Sequence, residues 1–447
     1  MKHDVDMVRN TAVDVLLRVF FEGAYLNIVL DKALQRADVS ERGRRFLTQL
    51  VYGTTRHKTL CDYVLAARLH QPLDQLPRPV LVVLRLGVFQ ALFLNQVTFP
   101  AMVHTSVELA RYRGHAGTAR VANAVLRKVP QKLEDVDLPP REEDVVRHLS
   151  VRCSMPEWLV RNWIDEFGEE RAEAICIASN TEAPTTIRVN TLRTNVEALL
   201  AAFNEKEPVA VKRTPVPEEL TLLAGPPPAR SKRFSEGDFI VQDAASMLPP
   251  HLLEPNAGDR VLDLCAAPGT KSTHLAQLTG DAARVIAMDI HPGKLGLVRQ
   301  NAARLGIERV YPVCGDGTKP PLRQGFDRVL VDAPCTGLGT LRRHPDLKWR
   351  AQPDAPARLA ALQLELLRSA VDLCKNGGVV VYSVCTFTRA ETTDVARAVT
   401  QAESENVALE EGPEWFRQWQ ISPGQYRILP EKGGLDGFFL MRLRKRC

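Results

Sequence analysis

The 447-residue sequence predicts a multidomain protein, in which an all-helical front region precedes an α/β domain built on a doubly wound, mostly parallel sheet. In the front region, apolar residues recur at helical spacing from Val8 to Phe20 and again through the largely apolar stretch Val80 to Leu94. From Gly258 onwards, short apolar runs alternate with helical segments, which is typical of strand–helix–strand units. A chain of this length also favours more than one domain.

The composition excludes several classes of protein. Hydrophobic residues make up 45% and charged residues 25% of the chain, which is typical of a globular protein and not of a disordered one. The apolar runs are too short to span a bilayer, and the opening residues Met1 to Asp4 lead to no secretory signal, so we expect no membrane contact and a cytoplasmic location. The nine cysteines include no Cys-x-x-Cys pair, so we expect neither a disulfide framework nor a bound metal.

The positive charge of the chain is concentrated in its front third. Residues 1–140 contain 19 Lys and Arg against 13 Asp and Glu, a net charge of +6, whereas the whole chain carries +5. This excess fits either a contact with a polyanion or a solvated helical face, and charge alone leaves both open. For a polyanion contact, the first candidates are Arg42, Arg44, Arg45 and Arg56.

Local patterns divide the chain into three parts. We expect helices over Val8 to Leu34, after Ser40 as an N-cap, and over His148 to Phe167. The front region is predicted to end at 135, where prolines interrupt the pattern, and residues 136–240 are expected to form a linker and a small α/β region that contains the strand Thr185 to Asn190. Residues 241–447 are expected to form the main α/β domain.

In the main domain, the residues at the carboxyl ends of the parallel strands are the candidate site, because ligands of such sheets bind there. The five expected strands are Arg260 to Cys265, Val285 to Asp289, Val310 to Asp316, Arg328 to Asp332 and Val379 to Val384. Asp289 follows Gly269 by 20 residues, the spacing at which a carboxylate binds a ribose. Neither a dinucleotide fingerprint nor a phosphate-binding loop is present, which favours a nucleoside cofactor without a pyrophosphate, such as S-adenosylmethionine. Strand-end aspartates that only cap helices are the alternative.

Two cysteines also lie at strand ends, where both can face one pocket. Cys335 follows Asp332-Ala-Pro, and Cys385 ends the fifth strand. A thiolate that adds to C6 of a pyrimidine activates C5 for methylation, and a second acid or base can assist release. Core packing is the alternative for any cysteine, and we expect it for the cysteines Cys61, Cys176, Cys314 and Cys374.

Several motifs together resemble the RNA cytosine-C5 methyltransferases, and within them the bacterial Fmu/Sun group, which modifies small-subunit ribosomal RNA. In the main domain these motifs are Leu262 to Lys271, Asp332 to Cys335, Arg342 to Trp349 and Ser383 to Cys385, with Gln242 to Ser246 at its entry. In the front region they are Leu50 to Arg56 and Asn123 to Arg127, which resemble the NusB-like RNA-binding domain of that group. The resemblance implies a Rossmann-like class I methyltransferase domain behind a NusB-like domain.

The resemblance also implies roles for individual residues. Cys385 is expected to be the nucleophile, Cys335 to assist product release, and Asp332 and Lys271 to complete the catalytic group. The cofactor is expected to contact Cys265, Ala266, Ala267, Pro268, Gly269, Thr270, Lys271, Asp289, Asp316 and Asp332. Two departures from the family pattern affect positioning but remove no reacting group. Val384 and Thr386 flank the nucleophile where the family often has Thr and Ser, and Thr270 stands where Gly is more usual.

The partners follow from the same resemblance. We expect a monomer that acts on single-stranded or loop regions of 16S ribosomal RNA, since the target base must leave its stack. Three alternatives stay open: the same chemistry on tRNA or another RNA, a DNA-type mechanism with Cys335 as nucleophile, and a non-catalytic RNA-binding or antitermination factor.

Overall fold

The computed structural model describes residues 6–36, 39–205, 208–225, 227–431 and 434–447, so Met1 to Asp4 lie outside the described residues. The chain divides into two compact units. The helical unit comprises Met1–Asn180 and Leu341–Gln352, and the sheet unit comprises Thr181–Thr340 and Pro353–Cys447. The predicted domain boundaries at 135 and 240 stay predictions.

Eighteen α-helices are present in the described residues. In chain order, they are α1 (Met7–Phe21), α2 (Leu26–Arg36), α3 (Glu41–Arg56), α4 (Lys58–Ala66), α5 (Arg78–Phe93), α6 (Phe99–Tyr112), α7 (Ala116–Leu126), α8 (Val145–Arg152), α9 (Glu157–Phe167), α10 (Glu169–Ala178), α11 (Val196–Phe203), α12 (Lys232–Glu236), α13 (Ala244–Leu253), α14 (Thr270–Leu278), α15 (Pro292–Leu305), α16 (Leu347–Arg350), α17 (Ala355–Leu373) and α18 (Thr393–Ala402). Within these residues, no helix combines the length and the apolar character needed to cross a membrane.

The strands of the described residues form two sheets. They are β1 (Thr185–Val189), β2 (Ala210–Val211), β3 (Glu219–Leu222), β4 (Phe239–Val241), β5 (Arg260–Asp263), β6 (Arg284–Asp289), β7 (Val310–Cys314), β8 (Phe326–Asp332), β9 (Cys374–Val384), β10 (Val407–Leu409), β11 (Gln420–Ser422), β12 (Gln425–Ile428) and β13 (Phe438–Lys445).

The helical unit packs its amphipathic helices around α5, which is buried almost all round as its apolar sequence predicts. The predicted cap is confirmed, since Ser40 Oγ accepts a hydrogen bond from Gly43 N at the start of α3. The helix expected over Val8 to Leu34 is instead two helices, because the chain turns at Gly23 with a φ of +67°. The helix expected over His148 to Phe167 is likewise divided into α8 and α9, and Pro156 lies at the start of the second.

Residues 341–352 belong to the helical unit although they lie far along the chain. Trp349 Nε1 donates to the Thr55 carbonyl over 2.8 Å, and Asp346 accepts from the Leu26 amide over 3.3 Å. Sequence order alone placed this segment in the main α/β domain, yet its hydrogen-bond partners are the turns and ends of α-helices near the front of the chain.

The main sheet of the sheet unit has the order β11-β12-β13-β9-β8-β5-β6-β7, and β10 pairs with β13. The five expected strands are β5 to β9; the β7-β6-β5-β8-β9 portion is parallel throughout. One hydrophobic core packs residues of α13, α14 and α15 against this sheet, and a second packs α17 and α18 against it. The predicted α/β fold class is therefore confirmed. The antiparallel strands β10 to β13 extend the sheet beyond what the sequence patterns indicated.

The small sheet has the order β2-β3-β1-β4, and Arg188 of β1 links it to α14. Arg188 is fully buried, and its guanidinium donates to the Thr270 carbonyl over 2.6 Å and to Thr273 Oγ1 over 3.0 Å. Burial lowers the pKa of Arg188 to about 9. The small sheet thereby fixes the first turn of α14, which follows the glycine turn of the candidate site.

Candidate active site

The acidic residues expected at the site lie at one edge of the main sheet, because adjacent parallel strands end there together. Asp263, Asp289 and Asp332 are the last residues of β5, β6 and β8. Asp316 lies two residues beyond β7, and the Gly315 amide donates to the Asp289 carbonyl over 3.1 Å, which joins the ends of β6 and β7.

The turn between β5 and α14 is held from both sides. The Leu264 amide donates to Leu330 O of β8 over 2.9 Å, and the Ala266 amide donates to Met288 O of β6 over 2.8 Å. Gly269 closes the turn with a φ of +96°, and a Cβ there would lie 2.9 Å from Val298 Cα. Both the backbone conformation and the close approach of α15 therefore require glycine at this position.

Asp263 is fully buried beneath this turn. Ser272 Oγ donates to its Oδ2 over 2.6 Å, whereas Oδ1 has no hydrogen-bond partner among the described residues. Burial raises the pKa of Asp263 to about 7, against the hydrogen bond from Ser272, which lowers it. The site thus contains a buried acidic group with one unused oxygen.

The two carboxylates expected at the nucleoside have different surroundings. Asp289 is half-buried and accepts from the Ala267 amide over 3.1 Å and the His291 amide over 2.9 Å, so it is tied to the glycine turn. Asp316 is exposed and accepts from the amide and hydroxyl of Thr318, which lower the pKa of the carboxyl. Asp289 is therefore held in place by the fold, while Asp316 lies open to solvent.

Asp332 joins the helix after the glycine turn to β9, the strand that Cys385 follows. Its Oδ2 accepts from Lys271 Nζ over 2.6 Å, and its Oδ1 accepts from Ser383 Oγ over 2.6 Å, two residues before Cys385. Burial alone would lower the pKa of Lys271, but the Asp332 carboxylate outweighs it and holds the pKa above its ordinary value. Lys271 is therefore a charged donor beside the cysteines.

The two candidate cysteines lie side by side. Cys335 Sγ and Cys385 Sγ are 3.3 Å apart, and both residues are half-buried. The hydrogen bond with Cys385 and then burial raise the pKa of Cys335 well above the ordinary value, so Cys335 is a protonated thiol.

The other cysteines expected in the core are buried except Cys314, which is exposed. The expectation was wrong for Cys314, because β7 is the edge strand of the sheet.

The structure adds residues that the sequence patterns did not single out. Ser383 orients Asp332, and Glu391 accepts hydrogen bonds from residues that follow both cysteines. The only sequence signal for Glu391 was a carboxylate close behind the hydroxyl-rich segment Thr386 to Thr388. No spacing rule indicates which loop such a carboxylate binds.

The four candidate RNA-binding arginines are not equivalent. Arg42 and Arg45 are exposed on α3, and Arg44 is half-buried and donates to the Leu34 carbonyl. Arg56 is only 7% exposed, and its guanidinium donates to the Arg342 carbonyl over 2.9 Å within the helical unit. The expectation of a phosphate contact is therefore wrong for Arg56, because its charge is directed into the protein.

One group of described residues has the chemistry of metal ligands, namely Glu218, His251 and His274, whose donor atoms lie within 4.8 Å of one another. The Glu218 carboxylate lies 3.0 Å from His251 Nε2 and 2.5 Å from His274 Nε2. Burial lowers the pKa of His274 to about 3, so this imidazole is neutral. The Glu218 carboxylate lies in contact with both rings, and we assign no metal to the group.

Comparisons with known proteins find relatives along nearly the whole chain. The family described as 16S rRNA methyltransferase RsmB/F matches residues 250–444, the NusB family matches 7–131, and an RsmF/B-like ferredoxin-like domain matches 155–228. The probable ribosomal RNA small subunit methyltransferase B of Bacillus subtilis is 37% identical over 98% of this chain and 99% of its own. The ribosomal RNA small subunit methyltransferase B of Thermus thermophilus is 36% identical over 98% of this chain and 97% of its own.

Solved structures show the same architecture. The crystal structure of PH0851 has a TM-score of 0.81 and 27% identity, covering 98% of this chain and 99% of that one. NSun6 from Pyrococcus horikoshii, solved with SFG, has a TM-score of 0.58 and 25% identity, covering 65% of this chain and 98% of that one. Fold and site together define an S-adenosylmethionine-dependent RNA methyltransferase. The chain belongs to the RsmB/F family of 16S rRNA methyltransferases.

Proposed function

We propose that this protein transfers a methyl group from S-adenosylmethionine to C5 of a cytosine in small-subunit (16S) ribosomal RNA, through a covalent bond between Cys385 and C6 of the base. The observation that carries the proposal is the 3.3 Å separation of the Cys335 and Cys385 sulfur atoms beside the Lys271–Asp332 pair. The two thiols follow β8 and β9, and Lys271 reaches them from α14, so a nucleophile, a second acid or base and a cation lie in one place.

The residues around the glycine turn fit the cofactor. Asp289 is oriented by two backbone amides and retains lone pairs for ribose hydroxyls, and the unused Oδ1 of Asp263 can accept from a further donor. Gly269 lets the turn approach α15 closely, which fixes the backbone of the turn beside Asp289. When bound, S-adenosylmethionine supplies an electrophilic methyl group attached to a positively charged sulfur.

The cysteines overcome the weak nucleophilicity of C5. Cys385 Sγ forms a bond to C6, which raises the electron density at C5, the atom that receives the methyl group. A base then removes the C5 proton, the electrons of that C–H bond restore the C5–C6 double bond, and the Cys385 thiolate is expelled. Cys335 assists this expulsion, because its thiol is the hydrogen-bonding neighbour of the departing sulfur.

Lys271 and Asp332 hold the site together around this reaction. Asp332 accepts hydrogen bonds from Lys271 of α14 and from Ser383 of β9. These two hydrogen bonds fix α14 relative to β9. The Lys271 ammonium also lies close enough to Cys385 for the two groups to interact electrostatically, and this interaction is one of the causes that raise the pKa of Lys271.

The substrate and the setting are inferred from the relatives and from the chain's charge. Relatives at 37% and 36% identity are named small-subunit ribosomal RNA methyltransferases, which favours 16S ribosomal RNA over tRNA or another RNA. A flipped or single-stranded cytosine is the form that can reach two cysteines at a sheet edge. We infer a cytoplasmic enzyme that acts as a monomer. The paired thiols disfavour a non-catalytic RNA-binding factor, which has no use for them.

Substitution of each cysteine tests the assignment. We expect Cys385→Ala to bind cofactor and abolish both methylation and any covalent RNA adduct, and Cys335→Ala to accumulate methylated RNA bonded to Cys385. Denaturing gels with radiolabelled RNA and saturating cofactor, with peptide mass spectrometry, locate the bond. Cys447→Ala, an exposed cysteine at the end of the chain, is the matched control and should act as wild type.

The outcomes separate the competing mechanisms. An adduct mapped to Cys335, lost in Cys335→Ala and accumulating in Cys385→Ala, would establish the DNA-type assignment instead. Methylation without any adduct in all variants would exclude the covalent mechanism, and failure of the wild type to bind cofactor would favour the RNA-binding factor. Bisulfite sequencing of total RNA with and without the gene identifies the RNA and the cytosine.

A further inference from the structure

A buried carboxylate joins the two loops that carry the cysteines. Glu391 is fully buried in the turn that follows β9, and its Oε1 accepts from the Thr336 amide over 2.8 Å. Its Oε2 accepts from Thr336 Oγ1 over 2.5 Å and from Thr388 Oγ1 over 2.9 Å. Thr336 directly follows Cys335 and Thr388 lies three residues after Cys385, so a single side chain binds both loops.

A second layer fixes the carboxylate itself. Gln363 of α17 donates from Nε2 to Glu391 Oε1 over 3.1 Å and to the Pro334 carbonyl over 3.0 Å, directly before Cys335. The Tyr382 hydroxyl lies 2.9 Å from Gln363 Oε1 and 2.7 Å from the Glu391 carbonyl. The network therefore contacts the chain on both sides of Cys335 and continues into β9, the strand that Cys385 follows.

Both oxygens of the Glu391 carboxylate accept hydrogen bonds in this network. All four groups that face the Glu391 carboxylate are donors: one backbone amide, two hydroxyls and one side-chain amide. An ionised carboxylate accepts from all four, whereas an amide NH₂ in place of Oε1 would face two N–H donors, and in place of Oε2 it would require both threonine hydroxyls to turn and accept. No Lys, Arg or His is among the hydrogen-bond partners found for the carboxylate in the described residues, and burial raises the pKa of Glu391 although these hydrogen bonds lower it.

The negative charge of Glu391 also acts on the Cys335 thiol. After the hydrogen bond with Cys385 and burial, the charges of Cys385 and Glu391 are further causes that raise the pKa of Cys335. The carboxylate thus favours the protonated form of Cys335, the form that can donate to the sulfur of Cys385.

We propose that Glu391 is a positioning residue, which locks the loop after β8 to the loop after β9 and so sets the separation of the two catalytic sulfur atoms. The inference rests on the proposed function, in which Cys385 attacks the base and Cys335 assists release. Glu391 contacts neither sulfur directly; it acts through Thr336 and Thr388.

The test compares three variants of the full chain. Glu391→Gln keeps the size and removes the charge, Glu391→Asp keeps the charge and shortens the reach, and Glu219→Gln is the matched control. Glu219 is also a fully buried glutamate that accepts from a threonine hydroxyl, Thr221 Oγ1 over 2.6 Å, but it lies in the small sheet and not beside the cysteines.

We expect Glu391→Gln to lower kcat about 100-fold, because displacement of reacting groups by about 1 Å has effects of this size. The KM for RNA and the affinity for S-adenosylmethionine should stay within about twofold, since Glu391 contacts no residue of the glycine turn. Glu391→Asp should lower kcat as well. The pH dependence of Cys335 alkylation by iodoacetamide, measured by peptide mass spectrometry, separates the two variants. The pH at which Cys335 becomes reactive should fall in Glu391→Gln alone, because only that variant removes the negative charge. Glu219→Gln should change neither.

Each outcome decides the proposal. A wild-type kcat in Glu391→Gln overturns it, as does a loss of activity that merely parallels the loss of stability and is matched by Glu219→Gln. If Glu391→Gln does not fold, Thr388→Val removes one donor and should lower kcat several-fold with KM unchanged; an unchanged kcat in that variant overturns the proposal. The alkylation profile does not depend on which cysteine attacks the RNA, so an adduct mapped to Cys335 defeats the proposed function without defeating the positioning role.

Discussion

Each of the two units buries a lysine, and the two lysines have opposite surroundings. Lys271 of the sheet unit is 8% exposed and donates to the Asp332 carboxylate. Lys348 of the helical unit is 1% exposed and donates to the carbonyls of Arg56 and Ser154 and to Asn180 Oδ1, all of them neutral oxygens.

The difference in partners determines the charge of each lysine. Burial lowers the pKa of Lys348 to about 7, and the positive charge of Arg56 adds to this effect. Burial has the same direction at Lys271, but the carboxylate beside it reverses the result and the pKa is raised. Burial alone therefore does not decide whether a lysine is charged. A carboxylate partner keeps Lys271 charged beside the cysteines, whereas Lys348 serves as a donor that holds residues 341–352 in the helical unit.

The largest expected effect comes from removing the charged lysine. Lys271→Met should lower the rate of methylation about 100-fold or more, because Asp332 then loses the donor that ties it to the helix after the glycine turn. Single-turnover methylation with saturating RNA and cofactor measures this. Lys232→Met, at a highly exposed lysine of α12 in the same unit, is the control and should act as wild type. A rate near that of the wild type in Lys271→Met would contradict a role of Lys271 in methylation.

An intermediate effect is expected for the pH dependence of stability. Between pH 7 and the ordinary pKa of a lysine, the unfolded chain holds a proton on Lys348 that the folded chain has released. The free energy of unfolding should therefore rise with pH in this window, by up to about 1.4 kcal/mol per pH unit from this residue, and Lys348→Met should remove that rise. Urea unfolding of the full chain from pH 7 to 9.5 measures it. The exposed Lys132→Met is the control, and an unchanged slope in Lys348→Met would show that Lys348 stays charged.

The smallest effect concerns the surface of the helical unit. If Arg42 and Arg45 contact phosphates, the double change to Gln should weaken RNA binding and reduce the slope of log affinity against log salt by about two. Binding titrations from 50 to about 200 mM salt measure the slope, and the exposed Arg120→Gln of α7 is the control. Deletion of residues 1–135 is a less specific test, because it also removes Leu26 and Thr55, which bind residues 341–352. An unchanged slope would place the RNA contact elsewhere.

The positions of many candidate site residues were predictable, because these residues lie at the ends of strands that the sequence pattern defines. The alternation of apolar runs with helical segments defined β5 to β9, and parallel strands bring their carboxyl ends to one edge. Asp263, Asp289, Asp332, Cys335 and Cys385 are therefore found where the sequence placed them. The antiparallel strands β10 to β13 were missed, because short strands without a strong alternating pattern are defined mainly by the neighbours with which they pair.

The sequence by itself determined the fold class, the glycine turn and which acidic residues and cysteines stand at strand ends, since each of these follows from local periodicity and from the geometry of a parallel sheet. Only the tertiary structure decided which groups meet. It set the Cys335 and Cys385 sulfurs 3.3 Å apart, placed Glu391 between their loops, and turned Arg56 inward to the Arg342 carbonyl. The physical reason is that burial and hydrogen-bond partners arise between residues dozens to hundreds of positions apart, and these partners, not the residue types, decide which side chains are charged, neutral or accessible.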